Sequence, residues 1–182
     1  MARTTPGTPS GRDRVLAAAL HLFSHYGFQR ITTDQIAQEA GVSQAYAVRA
    51  FGSKLGLIRA LSSGASRRMA DLFLETAPLD TVERRSEFRT RFSALAFESD
   101  DMRLLAQLFA CGGDEEIGPL AREGFLRMCH LLHDDLKLPI EEVRRILATG
   151  MLSITLSALD YPRPSDDIIE YLISGQSTGA SQ

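Results

Sequence analysis

The chain has 182 residues, 44% of them hydrophobic and 24% charged, with a formal net charge of −3. It is long enough to bury a sizeable core in one or two compact units. The absence of any 18-residue apolar run excludes a spanning helix, and two cysteines, Cys111 and Cys129, exclude a disulfide framework and suit a reducing compartment.

Residues 1–11, MARTTPGTPSG, lack the apolar segment of a secretory signal, so a cytoplasmic location is expected. They read as a flexible arm. Arg3, with Arg12 and Arg14 just beyond, can either touch a nucleic-acid backbone or stay solvated. A helix over 12–26 follows, because Val15, Leu16, Ala19, Leu20, Phe23 and Tyr26 recur at helical spacing. Ser10 with Asp13 can cap it, and Gly27 stands where it should stop.

Thr32 with Gln35 three residues later forms a capping box, and Ile31 can staple onto Ile36. Gly41 supplies the left-handed residue that ends this short helix, and Ser43 caps another running to about Phe51. Two helices joined through a glycine turn are a helix-turn-helix unit, whose second helix enters the DNA major groove. Taken alone, the pair also fits an ordinary helical hairpin. Gly52-Ser53 then breaks the chain before a longer helix that starts at Lys54.

The stretch VLAAALHLFSHYGFQRITTDQIAQEAGVSQAYAVRAFGSKLGLI resembles the DNA-binding domain of TetR-type (tetracycline-repressor) transcriptional regulators. The likeness rests on Leu22-Phe23 and Gly27, Thr32-Thr33, Ile36-Ala37, Ala40-Gly41-Val42-Ser43, Phe51, Ser53-Lys54 and Leu57. One part departs from it. After the recognition-helix cap the family usually has glycine, a small hydroxyl residue, leucine and tyrosine, whereas this chain has Ala45, Tyr46, Ala47 and Val48. The phosphate-touching tyrosine is therefore missing at Val48, and an unexpected one stands at Tyr46.

Charge is divided unevenly. Residues 1–60 hold seven Lys/Arg and three Asp/Glu, a balance of +4, while the remainder holds thirteen and twenty, a balance of −7. A basic head on an acidic body suits a polyanion held at one end. Helix N-termini are natural phosphate sites, which points to Thr32, Thr33, Ser43 and Lys54. The resemblance implies phosphate roles for Thr33 and Lys54 as well. Gln44 can pair with adenine, Arg49 with guanine or phosphate, and Tyr46 with a thymine methyl or phosphate. Ala45 is small enough for close approach, and Val42, Ala47 and Phe51 are expected in the core.

Further helices are expected over 53–76, 80–98, 100–111, 115–136, 140–160 and 165–174, with breaks at Pro78, Gly112-Gly113, Pro139 and Tyr161–Pro164. The expected fold is therefore all-α. Its parts are the arm 1–11, a DNA-binding domain 12–52, a helical effector-binding and dimerisation domain 53–174, and a flexible tail 175–182. Helix 140–160 is apolar on two sides and needs two partners. Met151, Ile154 and Ser157, with Ile168 and Leu172 of the next helix, are expected at a two-fold interface. The resemblance implies the same homodimer, which suits a palindromic double-stranded operator.

The resemblance also implies a small-molecule effector pocket in the body. Its candidates are Phe92, Met102, Phe109, Phe125 and Met128, with His133 or Cys129 as polar elements. Cys129, His130 and His133 lack a second cluster to complete four ligands, so no metal is expected. No cofactor motif or catalytic signature is found, so the chain does not read as an enzyme. The expectation is a dimeric, effector-released transcriptional repressor. Two alternatives stay open: an effector-independent DNA-binding regulator, and an all-helical ligand-binding or catalytic protein with a vestigial head.

Overall fold

The computed structural model describes residues 9–78, 81–161 and 168–169. Every regular element among them is helical. Packing divides the chain at Leu61/Ser62, rather than at 52/53, into units 1–61 and 62–182. The first turns of the fourth helix, with buried Leu57, Ile58 and Leu61, thus belong to the first unit.

In the first unit, helix α1 (Gly11–Tyr26) starts at the predicted cap: the Ser10 hydroxyl accepts the Asp13 amide at 3.2 Å, and Asp13 accepts the Ser10 amide. Helix α2 (Thr33–Glu39) carries the predicted Thr32–Gln35 box. Ile31 and Ile36, which flank that cap, are both buried. Gly41, at φ +63°, turns the chain so that its amide donates to the Gln38 carbonyl and the Val42 amide to that of Ala37. These are the paired bonds of a Schellman stop. Helix α3 (Gln44–Phe51) begins at Ser43, whose hydroxyl accepts the Tyr46 amide. Val15, Ala19, Phe23, Ile36 and Ala47 fill the small core, and Phe23 meets Phe28 edge-on at 5.2 Å. Tyr26, expected on the apolar face, is exposed.

Helix α4 (Lys54–Thr76) runs on without a break into the second unit. That unit continues with α5 (Val82–Phe97), α6 (Asp101–Ala110), α7 (Gly118–His130) and α8 (Ile140–Ala158). One core cluster gathers Leu72, Phe92, Ala96 and Met102; another gathers Phe73, Leu131, Leu132 and Val143. Helix α7 starts later than expected because Asp114 captures the Glu116 and Ile117 amides at 2.9 and 2.8 Å, holding them in a turn. It then passes into a π-helical turn, Leu131–Asp135. Across that turn the His130 ring nitrogen meets Asp134 at 2.6 Å.

Of the segment expected at 165–174, Ile168 and Ile169 are described, both helical. Leu172, Arg3, the tail 175–182 and all but the last residues of the arm lie outside the described residues.

Candidate nucleic-acid interface and body cavity

Helix α3 has eight residues, and the head packs one side of it. Ala47 is buried, while Tyr46, Ala50 and Phe51 are half-buried. Gln44, Ala45, Val48 and Arg49 are exposed. At 100° per residue these four share a single face. Tyr46 departs from expectation. A Cβ built on Gly11 would stand 2.8 Å from the Tyr46 hydroxyl oxygen, so the ring lies across the start of α1 instead of projecting outward. Val48, with 41% of its surface exposed, stands on the outer face between Gln44 and Arg49.

The remaining basic residues divide as well. Arg14 donates through Nε to the Ala40 carbonyl at 3.1 Å, satisfying an orphan acceptor at the end of α2, so it is not a free arm. The Arg12 guanidinium sits 4.7 Å from the centre of the Phe51 ring. Thr32 spends its hydroxyl on the helix cap, while Thr33, at the first helical position of α2, is half-buried. Lys54 opens α4, where the Ser53 hydroxyl accepts the Gly56 amide at 3.0 Å. Gly56 is required there, since a Cβ on it would fall 2.0 Å from the Phe51 carbonyl oxygen. This close approach fixes Lys54 beside the end of α3.

In the second unit a cavity of about 90 Å³ lies among residues of α4 to α8. Phe92, Met102, Phe109, Phe125 and Met128 all line it, and Phe109 meets Phe125 edge-on at 6.3 Å. His133 and Cys129 do not. His133 is exposed, with its Nδ1 3.1 Å from the Leu138 carbonyl oxygen. The polar groups on the wall are instead Ser62 and Ser66 of α4. Their spacing of four on one helix was the signal available in the sequence.

The expected interface residues also redistribute. Ile154 lines the cavity and packs on the Leu72 cluster, and Ser157 is buried with its carbonyl accepting from Arg103 Nε at 3.1 Å. Met151 lines the cavity while 42% exposed, and Ile168 is 69% exposed. The outward strip of α8 includes Ala148, Met151 and Thr155, and Leu159 at its C-cap is exposed as well. Beside the cavity, Arg68 grips Asp101 through Nε at 2.7 Å and Nη2 at 2.5 Å. This hydrogen-bonded pairing raises the guanidinium above its ordinary pKa, against the lowering effect of burial.

Among the described residues no helix is long and apolar enough to cross a membrane. Residues 15–61 match the family described as bacterial regulatory proteins, tetR family. A comparison with curated proteins gave no match. Among solved structures, the fatty acid degradation regulator FadR from Bacillus halodurans is 15% identical, covers 100% of this chain and 99% of its own, and superposes with a TM-score of 0.63. A protein assigned as a TetR-family transcriptional regulator from Mesorhizobium loti is 14% identical over 91% of this chain and 92% of its own, at 0.61. The multidrug binding protein EbrR, solved with imidazole, is 17% identical over 96% and 95%, at 0.59. At such identities the likeness shows the all-helical fold with an N-terminal helix-turn-helix and a C-terminal helical domain. The caps, turn and exposed α3 face of residues 31–54 lie inside the matched segment, so the head of this chain is similar to the DNA-binding helix-turn-helix of bacterial regulatory proteins of the tetR family.

Proposed function

We propose that the protein is a cytoplasmic repressor that binds a palindromic operator as a homodimer and leaves it when a small molecule enters the body. The exposed face of α3 carries the reading. Gln44 addresses an adenine edge, Val48 a thymine methyl and Arg49 a guanine or phosphate, while Ala45 lets the backbone come close. Thr33 and Lys54 hold phosphates and set the register. Thr32, Ser43 and Tyr46 support this surface through caps and packing and do not read bases.

The dimer forms on the outward strip Ala148, Met151 and Thr155 of α8 with Leu159 at its C-cap, and Ile168 follows in sequence. Leu159 and Ile168 are each more than two-thirds exposed in the single chain, which favours a covering partner. Two heads then meet half-sites about 34–36 Å apart, or a multiple of that. The cavity favours effector control over an effector-independent regulator. Ser62, Ser66, Met69 and Phe73 all belong to α4, the helix that begins at Lys54. A ligand that prefers one position of these residues biases the head, and a coupling of about 1–3 kcal/mol changes operator affinity roughly 5- to 150-fold.

Selection of bound duplexes from randomised DNA tests the reading, together with light scattering of the free protein. Two-fold symmetric sites and a dimeric mass are expected. Unsymmetrical single half-sites bound by a monomer would remove the dimeric part.

A further inference from the structure

The body cavity has an unusual wall for its position beside an ion pair. Nineteen residues line it, and none of them is acidic, basic or histidine. Four are methionines and four phenylalanines. At about 90 Å³ it exceeds the roughly 10–15 Å³ that one water needs. Asp101, next in sequence to the lining residue Met102, is committed to Arg68 through both carboxylate oxygens and offers a ligand nothing.

A charged ligand entering this wall would lose its hydration without gaining a counter-charge, at a cost of several kcal/mol or more. An apolar one gains about 25 cal/mol per Å² buried, and unbranched methionines adapt to its outline. The wall is not wholly apolar. Ser62, a residue only 6% exposed, lines it. Ser66 lies one turn on, and a Cβ at Gly124 of α7 would stand 3.2 Å from its hydroxyl oxygen. Two hydroxyls on an otherwise apolar wall are the place for a ligand's polar atom.

Building on the effector-responsive reading, we propose that this cavity takes an uncharged, predominantly apolar molecule carrying one hydrogen-bonding group, which meets the Ser62 and Ser66 hydroxyls. Carboxylates and organic cations of the same carbon skeleton are excluded by the missing counter-charge.

The test is competition against a neutral fluorescent probe, N-phenyl-1-naphthylamine, on the full-length protein near pH 7.5. The competitors are 1-octanol, octanoate and octyltrimethylammonium, which share a chain length and differ in charge. Half-displacement by 1-octanol should need at least tenfold less ligand than either ion. Equal or better displacement by an ion overturns the proposal, as does failure of the probe to bind. Ser62→Ala should weaken 1-octanol about 3- to 10-fold, the worth of one hydrogen bond, and leave 1-fluorooctane unchanged. Equal losses for both ligands would overturn the role of the hydroxyl. A Cβ on Gly150, another lining residue, meets nothing within 4 Å, so Gly150→Leu should fill the space and abolish probe binding while the melting temperature holds. Full probe binding by that variant would place the probe elsewhere. A final arm separates the two readings. Binding of 1-octanol without release of selected operator DNA defeats effector control and leaves the ligand class standing; preference for an ion defeats the class alone.

Discussion

The Tyr46 ring closes over Gly11 so tightly that a single methyl on the glycine would stand 2.8 Å from the phenol oxygen. Tyr46 therefore orients α3 from behind. Tyr46→Ala should lower the melting stability of the head by about 1–2 kcal/mol, the loss from truncating a half-buried ring. It should weaken binding to all DNA sequences alike. Tyr46→Phe should keep both stability and base preference. A changed preference at one base pair in the phenylalanine variant would return Tyr46 to the reading face.

Val48 stands outward where Tyr46 was expected, and an exposed aliphatic side chain on that face has the thymine methyl as its natural partner. Replacing one thymine by uracil in the selected half-site removes that methyl alone. Wild-type affinity should fall about 3- to 5-fold, near the value of one buried methyl group. Val48→Ala should be insensitive to the same replacement. Equal sensitivity in both proteins would separate Val48 from the base.

Much of the head is legible in the sequence because its signals are local. Ser10 with Asp13, Thr32 with Gln35, and Gly41 each act within one turn of chain, and each appears as a cap or stop in the structure. The rotational phase of α3 is another matter. Eight residues leave the apolar face ambiguous, and the choice between Tyr46 and Val48 is made by Gly11, thirty-five positions away. The body repeats the lesson. Ile154 and Ser157 lie on an apolar or small-residue face in sequence, but α8 turns them toward its own chain. Periodicity identifies a face to be buried without naming what buries it.

Arg68 and Asp101 are another long-range pair that sequence reading misses, since acids opening a helix are ordinarily solvated near its dipole. Asp101 is instead 3% exposed as a residue, while the Arg68 side chain is 48% exposed. Removing the arginine strands a buried carboxylate. Arg68→Ala should destabilise the protein by about 1–3 kcal/mol, less than the about 3–5 kcal/mol for a fully buried pair, because water reaches the guanidinium. Arg68→Met with Asp101→Leu should cost less than Arg68→Ala alone. Chemical denaturation of the wild type and the two variants checks this, and a double variant that loses as much stability as Arg68→Ala, or more, would contradict the pairing.

Asp114 gives a pH signature. Its bonds from the Ile117 and Glu116 amides hold its carboxyl below the ordinary value of 3.8. A lowered folded-state pKa contributes stability that is fully present above that value and is lost as pH falls through the lower, folded one. Asp114→Asn should therefore remove part of the acid-side decline of the melting temperature below about pH 4. An unaltered decline in the variant would contradict the turn's role.

The central claim is that the basic head grips phosphates from the start of α4 while the outer face of α3 reads bases. Equilibrium binding to the selected operator, measured across a salt series for the wild type and Lys54→Ala, tests it most directly. The account predicts a steep negative salt slope for the wild type, shallower by about one phosphate per bound head in the variant, with base preference unchanged. A wild-type slope near zero, or an unchanged slope in the variant, would contradict it.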